Sequence, residues 1–305
     1  MPVGDTDLVT VSSTDFFSPI SLNPYLQGRI AAANTLSDVY AAGCADVSTV
    51  LMILACSTKM APEHRRIVTE HMIKGFRDAC AEAGAVVTGG QSVMNPWPIL
   101  GGVAIATVPR SSLVPSTKIV PGDVMVLTKP LGTQVAANLA TWMLEETRWA
   151  EVSQKIDAET ALRAVRQAEL SMSSLNREAA IVMKQLGAHG ATDVTGFGFL
   201  GHARNLAGVQ ESAVDLILER APILRGLPAL DNNAFRLLKG LSAETSGGLL
   251  IALPDMQTAN KFISLYKECA SNTAGWGWIV GHVVEGQRRA QWSGDSDAAP
   301  EVVEV

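Results

Sequence analysis

Three aspartates stand in short segments rich in glycine or other small residues, and their side chains are the best candidates for chemistry. They are Asp15 in Ser-Ser-Thr-Asp-Phe-Phe, Asp38 in Asn-Thr-Leu-Ser-Asp-Val-Tyr and Asp193 in Ala-Thr-Asp-Val-Thr-Gly-Phe-Gly. A fourth segment, Thr88-Gly89-Gly90-Gln91-Ser92, is uncharged and offers a run of unobstructed backbone amides. Carboxylates are hard oxygen ligands for Mg²⁺, and glycine-flanked amides can cradle phosphates. Together the four segments predict a site for a nucleotide and its metal ion.

Three of these four segments also have a plainer interpretation. An aspartate at a strand end or in a turn is often a turn former or a helix cap, which applies to Asp15 and Asp193. Asp38 is harder to explain in that way, because it falls inside a small and apolar helical stretch where a carboxylate needs solvent or a cation. Gly89-Gly90 is compatible with an ordinary turn, since the Gly-Lys-Ser/Thr ending of a P-loop is absent. His202 is interpreted as structural.

The elements that position these residues are predicted from caps and hydrophobic periodicity. A strand over residues 8–14 delivers Asp15 at its end. Asn23-Pro24 is a typical helix start, and that helix is predicted to run to about Ala42 and to carry Asp38. The rest of the first half is predicted as a strand over 47–54, a helix over 62–83, a strand over 85–88 entering a Gly89–Ser92 loop, and a strand over 100–108.

The second half follows a proline- and serine-rich stretch over residues 109–121, which is the best linker candidate. Asp193 is expected in a loop that opens a helix, and the tail from Ser293 is expected to be mobile as far as Pro300. Because strands and helices alternate, the fold class is predicted as α+β with helices packed on sheets. The other elements predicted in the second half of the chain are strands near residues 123–128, 213–218, 248–253 and 276–284, with helices over about 158–186.

Composition excludes several classes of protein. The chain has 305 residues, 47% of them hydrophobic and 18% charged, which is enough for a core and two domains of about 150 residues each. Its net charge of −6 argues against nucleic acid as a partner. The four cysteines form no Cys-x-x-Cys pair, which is typical of thiols in a reducing compartment. No apolar run of about 20 residues and no signal pattern is present, so no membrane partner is expected and the protein is predicted to be soluble and cytoplasmic.

Taken jointly and in order, these segments resemble the selenophosphate synthetase (selenide, water dikinase) family of the aminoimidazole ribonucleotide synthetase superfamily, particularly its eukaryotic members. The resemblance extends over nearly the whole chain. The stretches that carry it are Thr14-Asp15, 28–31, 37–41, Thr88-Gly89-Gly90-Gln91, Asn95-Pro96-Trp97, 122–132, 191–198 and 244–250.

The resemblance implies that ATP, selenide and water give selenophosphate, AMP and phosphate. It implies that Asp38 and Asp193 bind Mg²⁺, that Asp38 and Asp15 belong to the ATP site, and that Gly89, Gly90, Gln91 and Ser92 line the phosphates. The family fold has two α/β domains, which places an ATP, metal and dimerisation domain over residues 1–115 and a second domain over 116–305. The N-terminal domains of a homodimer are expected to pair into a β-barrel.

One departure from the family pattern concerns the start of the chain. Family members begin with a glycine-rich segment that holds a Cys or selenocysteine, a Lys and a further metal-binding Asp, and no counterpart precedes Asp15 here. We therefore assign no catalytic residue, and we expect a shortened chain that folds and dimerises but has little synthetase activity. Two alternatives stay open: another ATP-using enzyme of the superfamily, and a non-catalytic regulatory paralogue that keeps the dimer and weak nucleotide binding.

Overall fold

The structure is a computed structural model that describes residues 1–270, 276–294 and 299–305. The chain forms two compact units, unit 1 of Met1–Leu113 with Met172–Ile181 and unit 2 of Val114–Ser171 with Val182–Val305. Each unit combines helices with a sheet, so the prediction of two α/β domains is confirmed. In the described residues, no helix is both long and apolar enough to cross a membrane.

Unit 1 contains a four-stranded sheet in the order β1-β4-β2-β3, with β2 and β3 parallel and the other neighbours antiparallel. Strands β1 and β3 therefore lie at opposite edges. The elements of this unit are β1 (Leu8–Phe17), α1 (Pro24–Ala41), β2 (Thr49–Ser57), α2 (Pro62–Glu82), β3 (Val87–Asn95) and β4 (Ile99–Pro109).

Helix α1 begins where the sequence predicts it. The Asn23 side chain accepts hydrogen bonds from the amides of Tyr25 (3.0 Å) and Leu26 (3.2 Å), which satisfies two of the four unpaired donors at the helix start. From Ile30 to Ala41 every residue of α1 is buried except Asp38, which is exposed. A buried helix with a single exposed carboxylate indicates that Asp38 serves something other than packing.

Unit 2 contains a six-stranded sheet in the order β11-β7-β10-β5-β9-β6 and a two-stranded sheet of β8 and β12. The helices and strands of this half of the chain are β5 (Val124–Leu127), α3 (Thr133–Trp142), α4 (Glu146–Val152), α5 (Ala158–Ser173), α6 (Arg177–Gln185), β6 (Gly190–Asp193), α7 (Gly198–Gly208), β7 (Val214–Leu218), β8 (Arg220–Ile223), β9 (Leu249–Leu253), α8 (Met256–Cys269), β10 (Trp278–Glu285), β11 (Arg289–Trp292) and β12 (Glu301–Glu304). Residues 172–181, which belong to unit 1, comprise the end of α5 and the first part of α6.

Strand β9 runs antiparallel to both of its neighbours, β5 and β6. The carboxyl ends of β5 and β6 and the amino end of β9 therefore meet at one edge of the sheet. All five residues of β9 are buried, as expected of a central strand. Asp193 lies at this edge as the last residue of β6.

Three predictions about local structure are wrong or fall partly outside the described residues. The segment Gly89–Ser92 is not a loop, because β3 continues through it to Asn95. Asp193 does not lie in a loop but is the last residue of β6. Of the tail predicted to be mobile from Ser293 as far as Pro300, residues 295–298 lie outside the described part. Directly after that stretch, Glu301–Glu304 pairs with β8 as a strand.

Candidate functional site

The structure brings Asp15 and Asp38 together around a serine hydroxyl in unit 1. Ser13 and Asp15 lie on β1, and Asp38 lies in the last turn of α1. The Oγ of Ser13 is 2.6 Å from Oδ2 of Asp38 and 3.2 Å from Oδ2 of Asp15. A hydroxyl carries one proton, so it cannot fully satisfy two carboxylates at the same time. We refer to Ser13, Asp15 and Asp38 as the carboxylate cluster.

The electrostatics of the carboxylate cluster favour a bound cation. Burial and the nearby Asp38 carboxylate raise the pKa of Asp15, and the hydrogen bond from Ser13 acts in the opposite direction. Among the described residues, no group of three or more His, Cys, Asp or Glu side chains is arranged to hold a metal ion. Mg²⁺ is commonly held by one or two carboxylates together with water and substrate phosphates. The two carboxylates therefore fit Mg²⁺ that arrives with a nucleotide.

Replacing Asp15 with asparagine is expected to stabilise the ligand-free protein slightly at neutral pH. The folded pKa of Asp15 lies above its ordinary value of 3.8, so wild type loses stability relative to Asp15→Asn as pH rises from 3.8 through the folded pKa. We expect a gain of about 0.5 kcal/mol at pH 7, because the group is partly exposed and solvent screens the repulsion. Urea unfolding at pH 3.5 and pH 7 measures this.

The matched control for that measurement is Asp5→Asn, which makes the same chemical change at an exposed aspartate. The control is expected to leave the free energy of unfolding unchanged at both pH values. A loss of stability in Asp15→Asn at pH 7 would instead mean that the carboxylate is a structural hydrogen-bond acceptor.

The glycine segment, Gly89–Ser92 on β3, lies across the sheet of unit 1 from the carboxylate cluster. Asp15 pairs with Gly102, Gly102 with Met52, and Met52 with Gly90, so these residues form one row across all four strands. Three strand spacings place Gly90 about 14 Å from Asp15 along this row. Gly90 has φ +144°, and a Cβ there would collide with the backbone of Met52. Glycine is thus required at this position by the strand itself, and one metal ion cannot contact both ends of the row.

Asp193 lies in unit 2, at the edge of the sheet where β5, β6 and β9 meet. Only 5% of its surface is exposed, and it attracts the fully buried ammonium of Lys129. The Nζ of Lys129 donates a hydrogen bond to the carbonyl oxygen of Ser246 at 2.9 Å. Burial lowers the pKa of Lys129 to about 7, and the Asp193 carboxylate acts in the opposite direction. Asp193 therefore has a neighbour within the chain that is cationic below about pH 7, and its role as a metal ligand stays a prediction.

Glu244 is a buried carboxylate at the start of helix α3. It accepts hydrogen bonds from the amides of Gly132 (2.7 Å) and Thr133 (2.8 Å), and from the hydroxyl of Thr133. The amide of Thr245 in turn donates to Oγ1 of Thr133 at 3.0 Å. Burial raises the pKa of Glu244 to about 7, and these hydrogen bonds act in the opposite direction. Glu244 thus fixes the 244–248 segment against the amino end of α3.

His202 holds the turn that follows Asp193, as expected of a structural histidine. Its Nε2 accepts a hydrogen bond from the amide of Phe197 at 3.3 Å and lies 3.2 Å from the hydroxyl of Thr195. An Nε2 that accepts from an amide carries no proton. His202 therefore shapes the turn beside Asp193.

Three further polar residues were not predicted as site residues from the sequence, namely Ser13, Lys129 and Glu244. Lys129 follows the apolar run Val-Met-Val-Leu and one threonine, and Glu244 stands among small residues in Ser-Ala-Glu-Thr-Ser-Gly-Gly. A charge in such surroundings is either exposed or paired, and that signal could have marked both as candidates. Ser13 gives no comparable signal, because its importance comes from the Asp38 side chain that approaches from α1.

Both halves of the chain match models of the AIR synthase related protein family, the N-terminal domain over residues 3–108 and the C-terminal domain over residues 120–292. A solved structure described as AaThiL complexed with AMPPCP and TMP superposes with a TM-score of 0.72 at 18% identity, covering 97% of this chain and 87% of that one. At that identity the likeness shows the fold alone. Fold and family matches together define an AIR synthase related protein.

Curated relatives narrow the class. The chain is 46% identical over 294 residues to selenide, water dikinase 2 of Homo sapiens, covering 95% of this chain and 65% of the relative. It is 45% identical over 282 residues to selenide, water dikinase of Dictyostelium discoideum, covering 92% of this chain and 76% of the relative. The chain therefore belongs to the selenide, water dikinase family. It spans 65% of the length of the human and mouse relatives.

Proposed function

We propose that this protein takes part in selenophosphate synthesis, in which ATP, selenide and water give selenophosphate, AMP and phosphate. Membership of the selenide, water dikinase family supports the reaction class. The observation in unit 1 that carries the proposal is the carboxylate cluster, in which one serine hydroxyl serves two aspartates, one of them the single exposed residue of a buried helical stretch.

Phosphoryl transfer requires mainly positioning and neutralisation of charge. In our proposal Asp38 and Asp15 hold Mg²⁺, which would neutralise the phosphates of ATP when bound. Ser13 keeps the two carboxylates in place by hydrogen bonding, and burial of the surrounding α1 residues fixes the position of Asp38. The extended segment Gly89–Ser92 presents its backbone to the phosphates. Asp193 is proposed as a metal-binding residue of unit 2.

We propose a homodimer as the functional assembly. In unit 1, Gly102 on β4 faces the side chains of Thr35 on α1 and Phe76 on α2. Side chains alternate between the two faces of a sheet, so the neighbours of Gly102 along β4 face away from these helices. Paired residues share a face, so the face away from the helices carries Phe16, Leu51, Ile53, Val93 and Val103. Phe16 and Val93 keep 57% and 53% of their surface exposed. An apolar sheet face with an exposed edge is typical of a surface that pairs with another sheet.

A second copy on this face closes the two sheets into the proposed dimeric β-barrel. Such closure would bring β3 of one subunit towards the partner. The segment Gly89–Ser92 on β3 would then contact a nucleotide that is not bound at the Asp15 end of its own sheet. The proposed nucleotide site then depends on the dimer.

Replacing Val93 with aspartate is expected to weaken self-association at least tenfold, because the charge would be buried in an apolar sheet interface. Ile67→Asp is the matched control, since Ile67 is similarly exposed at 45% but lies on helix α2. Sedimentation velocity over a concentration series measures both. A wild-type protein that stays monomeric at micromolar concentration, or a Val93→Asp variant that associates normally, would contradict the proposed dimer.

Product formation tests the reaction itself. AMP release is measured with and without hydrogen selenide, on this chain and on a version preceded by the glycine-rich segment expected from the family resemblance. Selenide-dependent AMP release from either protein supports the synthetase. Binding of ATP with Mg²⁺ but no AMP release from either protein would instead favour the non-catalytic regulatory paralogue.

A further inference from the structure

A small cavity in unit 2 lies between the end of α3, helix α4 and the segment that follows Leu230. Its volume is about 190 Å³. The residues proposed for nucleotide and metal binding are not among those that line it. Its floor consists of the apolar side chains of Val152 and Leu230, which are buried at 8% and 4% exposure.

One wall of the cavity is the indole of Trp142, the last residue of α3. Trp142 packs against the ring of Phe235 with centroids 5.8 Å apart and the rings tilted by 50°. Phe235 is itself buried at 9% exposure. The indole is therefore held in a fixed orientation, and its other surface is available to a flat ligand.

The rim of the cavity is cationic in a protein whose net charge is −6. Arg148 and Lys155 contribute two positive charges against the single carboxylate of Glu151. The Arg148–Glu151 pair is 3.7 Å apart with both side chains more than half exposed, so it competes only weakly with a ligand. Within the part of the chain that the structure describes, the Lys155 ammonium forms no ion pair.

A further hydrogen-bond donor comes from a tightly held turn. Oδ1 of Asn232 accepts from the amides of Ala234 (2.8 Å) and Phe235 (3.1 Å), which leaves its Nδ2 group as the donor that can reach a ligand. The preceding Asp231 accepts from the amides of Leu237 and Leu238, so the turn is fixed before any ligand arrives. A pre-ordered donor reduces the entropy lost on binding.

Size decides between ligand classes. Benzene fills an apolar protein cavity of about 150 Å³, whereas drug-sized ligands occupy pockets of about 300–1,000 Å³. A cavity of about 190 Å³ fits one ring with a small substituent and is too small for a whole nucleotide. We propose that this cavity binds a small aromatic carboxylate, with the ring on Trp142 and the carboxylate at Arg148 and Lys155.

Benzoate is the probe, and saturation-transfer NMR on the full chain is the measurement. We expect binding with Kd on the order of 1 mM. Two comparison compounds are each expected to bind at least fivefold more weakly than benzoate. Benzylammonium has the same ring but the opposite charge, and cyclohexanecarboxylate has the same charge but no flat ring. Equal binding of either compound would overturn the proposal.

Variants place the binding at this cavity. Lys155→Ala is expected to weaken benzoate binding at least fivefold, and Lys155 is exposed, so the fold is retained. Trp142→Phe keeps a ring against Phe235 and is expected to change the affinity less than twofold, whereas Trp142→Leu should abolish the preference for an aromatic ligand. Lys184→Ala, an exposed lysine of unit 2 at the end of α6, is the matched control and should have no effect. Unchanged binding in Lys155→Ala would overturn the assignment.

Discussion

Replacing Glu244 with alanine is expected to lower the free energy of unfolding by about 4 kcal/mol at pH 5, the largest effect anticipated from a single side chain. The substitution removes the hydrogen-bond partner of three buried polar groups, namely the amides of Gly132 and Thr133 and the Thr133 hydroxyl. Each buried polar group left without a partner costs about 1–3 kcal/mol, and water that enters the vacated space recovers part of the total.

The pH dependence of this effect has a defined sign. Burial raises the folded pKa of Glu244 to about 7 from an ordinary value of 4.5. The stabilisation from the neutral group is complete below pH 4.5 and is lost as pH rises through about 7, because ionisation then favours the unfolded chain. The difference between wild type and Glu244→Ala should therefore narrow between pH 5 and pH 8.

Urea unfolding followed by tryptophan fluorescence measures these differences. The signal reports mainly on unit 2, which contains Glu244, because five of the six tryptophans belong to unit 2 and only Trp97 belongs to unit 1. Glu285→Ala removes an exposed glutamate at the end of β10 and serves as the control, with an expected change below about 0.5 kcal/mol. A Glu244→Ala loss under about 1 kcal/mol at pH 5, or one that widens with pH, would contradict the role given to this carboxylate.

Replacing Gly75 with alanine is expected to destabilise unit 1 by about 2–3 kcal/mol, because α1 and α2 touch through glycine. A Cβ on Gly75 would collide with the carbonyl oxygen of Tyr25 and lie 2.9 Å from its carbonyl carbon. A Cβ on Gly28 of α1 would lie 3.0 Å from Cα of Gly75 and 2.7 Å from the amide nitrogen of Phe76. These are backbone atoms, so a helix must move to admit the methyl group.

Gly208→Ala is the matched control, because a Cβ at this helical glycine meets nothing within 4 Å. Alanine is the better helix former by up to about 1 kcal/mol, so the control should be neutral or stabilising. Hydrogen exchange of the α1 amides, followed by mass spectrometry, compares the two variants with wild type. Unchanged protection of α1 in Gly75→Ala would show that the helices tolerate a wider spacing.

Local structure could be predicted where short-range chemistry determines it. Asn23-Pro24 carries both the cap and the fixed φ of a helix start, and the helix begins there. The segment Gly89–Ser92 was predicted wrongly as a loop, because glycine is common in turns. In the structure this segment is part of an edge strand, β3. Gly90 is needed in that strand because of its φ and its approach to Met52, and both depend on the neighbouring strand.

The candidate site could be predicted only in part. The aspartates were recognisable from their types and surroundings, but the proximity of Asp15 to Asp38 depends on α1 packing beside β1, a contact between residues far apart in sequence. The same reason explains why Lys129 and Glu244 were missed. Their partners, Ser246 and the start of α3, come from segments more than a hundred residues away.

Calorimetric titration with ATP in the presence and absence of Mg²⁺ tests most directly whether the carboxylate cluster holds a metal–nucleotide complex. We predict Mg²⁺-dependent binding that Asp38→Asn weakens at least tenfold, with unfolding of the ligand-free variant unchanged or shifted to higher temperature, while Asp5→Asn binds like wild type. Asp193→Asn is also expected to weaken Mg²⁺-dependent nucleotide binding. Wild-type affinity and Mg²⁺ dependence in Asp38→Asn would contradict the account.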